Sequence, residues 1–414
     1  MAEALAPRAF AVGSVRRAAT AGAMSAVAVC RGEGVVSGFV GADKRVGVLL
    51  GSRLTTSSRS RGLGTHGSFS RKDLTRIFSR VVTVGAHATS EARANRSSRV
   101  FPATAPECDA PWVTEVNALA EFITRSKRLL VITGAGCSTE SNVPDYRSPK
   151  GAYSTGFKPM THQDFTKSEA NQKRYWARSF FGWRRFAEQT APNDAHRAVA
   201  ALQEEKKIYR LITQNVDRLH QAGGSVPDSV LELHGTAHEV VCVRCEHVSP
   251  RPAFQKLLAE LNPEIAKRAY ADVSLDDTGE ASVPKTLKTR PDGDVEVDGE
   301  IVANFVVPKC KACGGGPLKP KVVFFGDSVP VETHARATEA SQQCDAVLII
   351  GSSVSTFSAF RLVRDAAARN VPVAILTKGE TRADDLAQLK VEKLAGETLP
   401  LVLRAARRME MYGY

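Results

Sequence analysis

No stretch of this 414-residue chain stays apolar for the roughly 20 residues that a bilayer-spanning helix needs, so no membrane span is expected. A disulfide framework is also missing. Of eight cysteines, Cys30, Cys108, Cys137 and Cys344 stand alone, and the other four form two tight pairs. That usage fits a reducing compartment with one metal site. Acidic residues are scarce at the front: residues 1–100 hold 14 Arg and 2 Lys against 5 Asp and Glu. The other 314 residues hold 40 basic and 39 acidic side chains, so nearly all of the net charge of +12 lies in the leading hundred. Composition therefore points away from a specific nucleic-acid groove in the folded part. The leading segment is rich in Arg, Ser, Ala and Gly and has no clean secretory apolar stretch. It has the composition of an organelle transit segment; the competing reading is a disordered tail with no address. Arg71–Val84 within it has the pattern of a short amphipathic helix.

Pro102, Pro106 and Pro111 punctuate the end of that segment, and the folded part is expected to start near Pro111. Val113, Val116, Leu119, Ala120 and Ile123 recur at helical spacing and predict a helix over Trp112–Ser126. Leu129–Ile132 reads as a buried strand that breaks into Gly134-Ala135-Gly136. Glycines there let backbone come close to a phosphate. Ser138, Thr139, Glu140, Ser141, Asp145, Tyr146, Arg147 and Ser148 then crowd one loop, shaped by Pro144 and Gly151. Such a loop can close over a ligand. Ser168–Glu188 is helical and carries Tyr175, Trp176, Phe180, Phe181, Trp183 and Phe186. Those rings either pack a helical module or line a pocket for an apolar substrate tail. Asn193 or Asp194 caps a helix through Gln203.

Further strands are predicted at Tyr209–Thr213, Val230–Leu233, Val322–Phe325, Ala346–Ile350 and Val371–Leu376, with a helix at Phe357–Ala368. Their ends carry Gln214-Asn215-Val216-Asp217, His234-Gly235, Gly326-Asp327, Gly351-Ser352-Ser353 and Thr377-Lys378-Gly379. Short apolar strands alternating with helices predict an α/β fold with a doubly wound parallel sheet, which binds ligands at the carboxyl ends of its strands. Between Gly235 and Pro320 the alternation stops, and a turn-rich stretch reads as a small inserted module.

Cys242-Val-Arg-Cys245 and Cys310-Lys-Ala-Cys313 sit in that module. Two Cys-x-x-Cys pairs can offer four thiolates to one tetrahedral zinc, although the gap between them is long; a redox pair or unrelated buried cysteines are the competing readings. Four thiolates leave no open position, so a metal there is structural; His238 and His247 would be redundant ligands. Gly134-Ala135-Gly136 is a partial fingerprint, because Thr139 stands where a third glycine belongs and no acid follows about 20 residues on. A nucleotide is expected, an ordinary hydride-transfer dehydrogenase is not. His234 at a strand end is either a structural histidine or a general base. Asn215 and Asp217 suit recognition of hydroxyls and a carboxamide, or simply cap a turn.

Taken together, these residues resemble the sirtuin family. GAGCSTESNVPDYRSPKGAYS matches its cofactor loop, TQNVDRLH (213–220) and ELHG (232–235) its ribose and catalytic motifs. The Cys-x-x-Cys pairs, FFGD at 324–327 and GSS at 351–353 follow in the family's order. The likeness runs from about Trp112 to Leu401. FGDSVP and Tyr146-Arg147-Ser148 resemble the class II, mitochondrial branch; GAYSTGFKPMTHQDF and RPDGDVEVD resemble plant-type members.

The resemblance implies a Rossmann-like domain over 111–235 and 320–404, a small zinc domain over 236–319, a transit or disordered segment over 1–110 and a tail over 405–414. It implies one zinc on Cys242, Cys245, Cys310 and Cys313, and NAD as a consumed cosubstrate. The acyl oxygen of an acyl-lysine protein attacks C1′ and expels nicotinamide. With His234 as base, the products are free lysine and O-acyl-ADP-ribose. Ala135, Glu140, Asp145, Tyr146 and Arg147 would lie in the mobile NAD loop. Gln214, Asn215 and Asp217 would face ribose and nicotinamide, with Asn215 and Asp217 joining His234 in catalysis. Ser352 and Ser353 would meet phosphate or ribose, and Lys378 and Gly379 the adenosine end. Gly134, Gly136, Ser138, Thr139, Pro144, Tyr153, Gly351 and Thr377 complete the implied NAD set. Phe325 and Gly326 would flank a peptide added as a strand. Three departures stand out. Asn142 replaces a usual Gly but tolerates left-handed backbone. Cys137 replaces an aliphatic residue, either packing as one or making the loop oxidation-sensitive. Ala395 stands near a missing adenine-site cysteine. The implied activity is an NAD-dependent protein-lysine deacylase of the mitochondrial matrix or a plastid. ADP-ribosyl transfer on the same site, or a silent NAD- or acyl-lysine-binding protein, are the alternatives.

Overall fold

The structure is a computed structural model that describes residues 105–148, 151, 153–156, 158–188, 190–271 and 295–413. Residues 1–104 of the expected transit segment, Arg71–Val84 among them, and the start of the RPDGDVEVD stretch lie outside the described residues. A six-stranded parallel sheet has the order β3-β2-β1-β7-β8-β9. Its strands are β1 Leu129–Thr133, β2 Ile208–Thr213, β3 Val230–Glu232, β7 Ala346–Ile350, β8 Val373–Leu376 and β9 Leu389–Val391. The intervening strands, β4 Gly235–Cys242, β5 Val248–Pro250 and β6 Leu318–Val322, form an antiparallel sheet of order β5-β4-β6.

Side chains alternate across the parallel sheet, as a strand's period of two requires. Leu129 and Val131 join Leu211, Leu348 and Ile350 on one face, under the helices Val113–Arg125, Asp194–Glu204 and Ala395–Tyr412. Leu130 and Ile132 join Ile212, Val347 and Ile349 on the other, under Val331–Gln343 and Phe357–Ala367. Burial on both faces explains why these strands read as unbroken apolar runs. The chain lays β2 and β3 on one side of β1, then returns to place β7, β8 and β9 on the other. That reversal between β1 and β7 is the switch point at which open α/β sheets leave a crevice.

A third core lies at the antiparallel sheet. Trp176 and Phe180, on the helix Glu169–Glu188, pack with Phe254, Leu258 and Phe305. Trp176 Nε1 donates to Leu318 O at 2.8 Å. The guanidinium of Arg251 is buried over the Trp183 ring, 4.5 Å from its centre, and bonds Gln255 and Ser179.

Three expectations are corrected. Val322–Phe325 is not a strand of the parallel sheet. The strand is Leu318–Val322 and belongs to the antiparallel one. Its Lys319 is buried, with Nζ donating to Val322 O at 2.5 Å and lying 3.3 Å from Asp327, so a charged residue fills an inward position. The sixth parallel strand is instead Leu389–Val391, too short and too charged to announce itself. Residues 405–412 are not a tail but the last turns of the helix Ala395–Tyr412, with Ala405 and Ala406 buried.

At the switch point, Gly351 has φ +58 and an added Cβ would lie 2.2 Å from Cys137 N. Gly351→Ala is expected to cost more than about 2 kcal/mol, from left-handed strain and a backbone clash together. A urea titration reads the loss; an unshifted midpoint would contradict this packing.

Candidate active site

The ends of β1, β2, β3, β7 and β8 open on one cleft of about 1930 Å³. It is lined by Gly134, Ala135, Gly136, Ser138, Thr139, Pro144, Asp145, Tyr146, Arg147 and Tyr153 from the first loop. Gln214, Asn215, Asp217, His234, Gly351, Ser352, Ser353, Thr377, Lys378 and Gly379 line it from the other strand ends. Glu140 is the exception among the expected NAD residues. Its carboxylate accepts from Gly396 N–H at 2.7 Å, at the N-terminus of the last helix, where the helix dipole favours an anion. It anchors the loop to that helix.

The glycines also act differently from the expectation. Gly134 N–H donates to Ile350 O and Gly136 N–H to Gly351 O at 2.8 Å. An added Cβ would lie 2.7 Å from Ser352 Cβ at Gly134 and 2.8 Å from Gly351 O at Gly136. Their amides are therefore committed within the protein, and their smallness lets the two strand ends touch. Asn142, at φ +62, takes the left-handed backbone expected of it, and Cys137 is wholly buried in the apolar layer.

Beneath the loop lies a buried polar network. Ser138 Oγ donates to Asp217 Oδ2 at 2.7 Å and accepts from Asn215 Nδ2 at 3.0 Å. Asn215 Nδ2 also reaches Gly134 O at 3.0 Å, and Leu219 N–H donates to Asp217 Oδ1. Burial pushes the Asp217 carboxyl up, against the pull of the Leu219 and Ser138 donors. Gln214 Nε2 donates to Ser352 Oγ at 2.7 Å and its Oε1 accepts from Thr356, tying β2 to β7 across the cleft. His234 Nδ1 lies 3.2 Å from Gln214 O, and Nε2 lies 2.9 Å from Ser358 Oγ. Burial lowers the His234 pKa, with the Gln214 carbonyl opposing, so the ring is neutral at neutral pH. In the outer loop, Asp145 Oδ1 accepts from Arg147 N–H and Ser148 N–H, a local turn. Tyr146, Tyr153 and Phe325 form a chain of ring contacts, and Arg147 lies over Tyr153. The helix rings divide: Trp176 and Phe180 are core, whereas Tyr175, Trp183 and Phe186 also line the cleft.

Sequence reasoning missed several partners. Ser358, His196, His220 and Thr133 reach the site only through tertiary contact. His220 Nε2 lies 2.9 Å from Thr133 Oγ1, and His196 Nε2 lies 3.4 Å from Ser138 Oγ. Burial pushes the pKa of His196 down to about 2 and that of His220 down to about 4.

The four paired cysteines also meet. Cys242 and Cys313 sulfurs lie 3.7 Å apart, Cys245 and Cys310 sulfurs 3.8 Å. A tetrahedral zinc with four thiolates has edges of about 3.8 Å, so the set fits one structural zinc. Arg244 N–H points at Cys242 Sγ, 3.4 Å away, and an added Cβ at Gly316 would fall 2.4 Å from that sulfur. His238 instead approaches Asp217 O at 3.0 Å.

The fold and its strand-end chemistry thus define an α/β protein with a dinucleotide-type cleft and a zinc-binding lobe. The Sir2 family profile matches residues 134–358. NAD-dependent protein deacylase SRT2 of Arabidopsis thaliana is 48% identical over 72% of this chain and 78% of its own length. NAD-dependent protein lipoamidase sirtuin-4, mitochondrial, of Bos taurus is 42% identical over 74% of this chain and 90% of its own. A Sir2 histidine-to-alanine variant solved with deacetylated p53 peptide and 3'-O-acetyl ADP-ribose is 27% identical, with a TM-score of 0.52 over 72% of this chain and 99% of that one. The chain belongs to the Sir2 family.

Two outcomes follow for the unliganded protein. Buried neutral imidazoles have folded pKa values below the ordinary 6.5, so the unfolded state binds more protons. Their contribution to stability is whole above 6.5 and falls away at lower pH, by about 1.4 kcal/mol per pH unit per group. It goes on falling until about 4 for His220 and about 2 for His196. Urea unfolding should show these two groups taking up about 1.5 protons at pH 6 and nearly two at pH 5; a flat profile would refute neutral burial. Metal analysis should give about one zinc per chain, lost in Cys310→Ala.

Proposed function

We propose that this protein is an NAD-dependent protein-lysine deacylase of the class II, plant-type branch. The observation that carries the reading is that His234, Gln214, Asn215 and Asp217 share one cleft with the loop from Gly134 to Tyr153. The names of the Arabidopsis and bovine relatives support it, and the bovine name supports a mitochondrial address together with the Arg-rich leading segment. We assign the parallel sheet and its helices to the cofactor domain and residues 236–319, which include Cys242 at the end of β4, to the zinc lobe.

NAD supplies an anomeric carbon with nicotinamide as leaving group. The protein's part is to hold, orient and deprotonate. His234, kept neutral by burial, would take the proton of a ribose hydroxyl at Nε2, because the Gln214 carbonyl can only accept and so holds the ring proton on Nδ1. Gln214 and Asn215 spend both amide N–H donors inside the protein, on Thr133 O and Ser352 Oγ and on Gly134 O and Ser138 Oγ, so each is held in place and offers a ligand its carbonyl oxygen. Asp217 holds Ser138 under the loop. The acyl-lysine segment adds as a strand beside Phe325 and Gly326, a stretch held in place by its parallel bridge to Thr161 and by His162 N–H donating to Phe325 O at 3.0 Å. Trp183 and Phe186 supply apolar lining for the acyl chain.

Incubation with NAD and a panel of acetyl-, longer acyl- and lipoyl-lysine peptides should release nicotinamide and free lysine. His234→Tyr should lower kcat by about 100-fold or more. The acid limb of kcat/KM should lie below 6.5, because burial lowers the base's pKa. No nicotinamide release across the panel would sink the reading. Labelled ADP-ribose on protein without deacylation would favour the transferase alternative.

A further inference from the structure

Part of the cleft wall comes from the chain ahead of the first helix. Pro106, Glu107, Cys108 and Asp109, just ahead of the first helix, line it beside Lys378, Gly379 and Glu392. The segment is pinned to both edges of that side. Lys378 Nζ donates to Glu107 O, and Cys108 Sγ donates to Glu392 O at 3.3 Å. Upstream, Ala105 is buried. Downstream, Trp112 N–H donates to the Glu115 carboxylate at 2.7 Å, and Lys393 Nζ lies 4.0 Å from the same oxygen. Residues 105–115 are thereby stitched to the ends of β8 and β9, although the sheet itself begins only at Leu129.

The position says what the wall meets. A dinucleotide in such a sheet lies across the switch point, one nucleoside on each half. The reacting groups Asn215 and His234 follow β2 and β3, on the half that must hold the nicotinamide riboside. The other half, β7-β8-β9, is left for the adenosine. We propose that Ala105–Asp109 is a strap that closes over the adenosine end of the dinucleotide and forms part of its binding site. The inference rests on the deacylase reading only in taking NAD as the ligand. It follows that the leading segment must keep these residues after any processing.

Cys108 offers a probe at the strap itself. Among the described cysteines it is half-exposed and outside the zinc set, whereas Cys137 and Cys344 are buried and Cys242, Cys245, Cys310 and Cys313 belong to that set. Burial raises the Cys108 thiol, so alkylation is run in mildly alkaline buffer. The thiolate sulfur displaces iodide from iodoacetamide, and mass spectrometry of the full chain follows the Cys108 peptide. Saturating ADP-ribose should slow alkylation several-fold. Nicotinamide mononucleotide, which lacks the adenosine, should leave it unchanged. The strap is overturned if ADP-ribose binds by calorimetry yet leaves the Cys108 rate unaltered, or if the mononucleotide protects equally. If neither NAD nor ADP-ribose binds, the strap and the deacylase reading fall together.

Discussion

The ends of β1 and β7 approach so closely that no side chain fits between them, and the site depends on that approach. Gly134 faces the Ser352 side chain, Gly136 faces the Gly351 carbonyl, and Gly351 turns left-handed against Cys137 N. Once the backbones touch, each neighbouring polar group has one place to go. Ser352 Oγ is brought within reach of Gln214, so β2 is locked to β7. The carbonyl of Gly134 is presented to Asn215. The chain after Gly136 must then turn away over Ser138, whose hydroxyl drops onto Asp217. A glycine-to-larger change here displaces several of the polar groups that line the cleft at once, not one backbone contact.

Much of this was legible in the sequence, for a physical reason. Strands buried on both faces leave continuous apolar runs, and their ends must carry either glycine or polar residues that serve the cleft. Ala346–Ile350 and Leu129–Ile132 announce themselves that way, and so do His234 and Gln214–Asp217. What the sequence hid depends on contacts between distant positions. Lys319 reads as exposed, yet it is buried because Asp327 and the Val322 carbonyl take its charge. Leu318–Val322, with a proline and two lysines, therefore looked unlike a strand, and the apolar residues after it took its place in the reading. Glu140 looked like a ligand group because it sits among them; only the fold shows Gly396 behind it. His196 and His220 come from separate helices and meet only in three dimensions, ring centres 4.9 Å apart.

The imidazoles sort by burial into two jobs. His196 and His220 are fully enclosed, and protonating either would leave a charge without water. They serve as neutral hydrogen-bonding spacers beneath the loop. His234 is only partly enclosed and faces the cleft, so a proton can reach the ring from a ligand there. Among the described residues no carboxylate hydrogen-bonds His234; its partners are the Gln214 carbonyl and the Ser358 hydroxyl. A carboxylate partner would raise its pKa and favour the imidazolium. A carbonyl and a hydroxyl orient the ring with less effect on its basicity. Burial then keeps the ring unprotonated and ready to accept. That arrangement suits the base role proposed for His234, in which the ring would have to be neutral before a ligand hydroxyl gives up its proton. A carboxylate partner would hold a proton on the ring once taken; here burial weakens that hold, so in the role proposed for His234 the ring could give the proton up again.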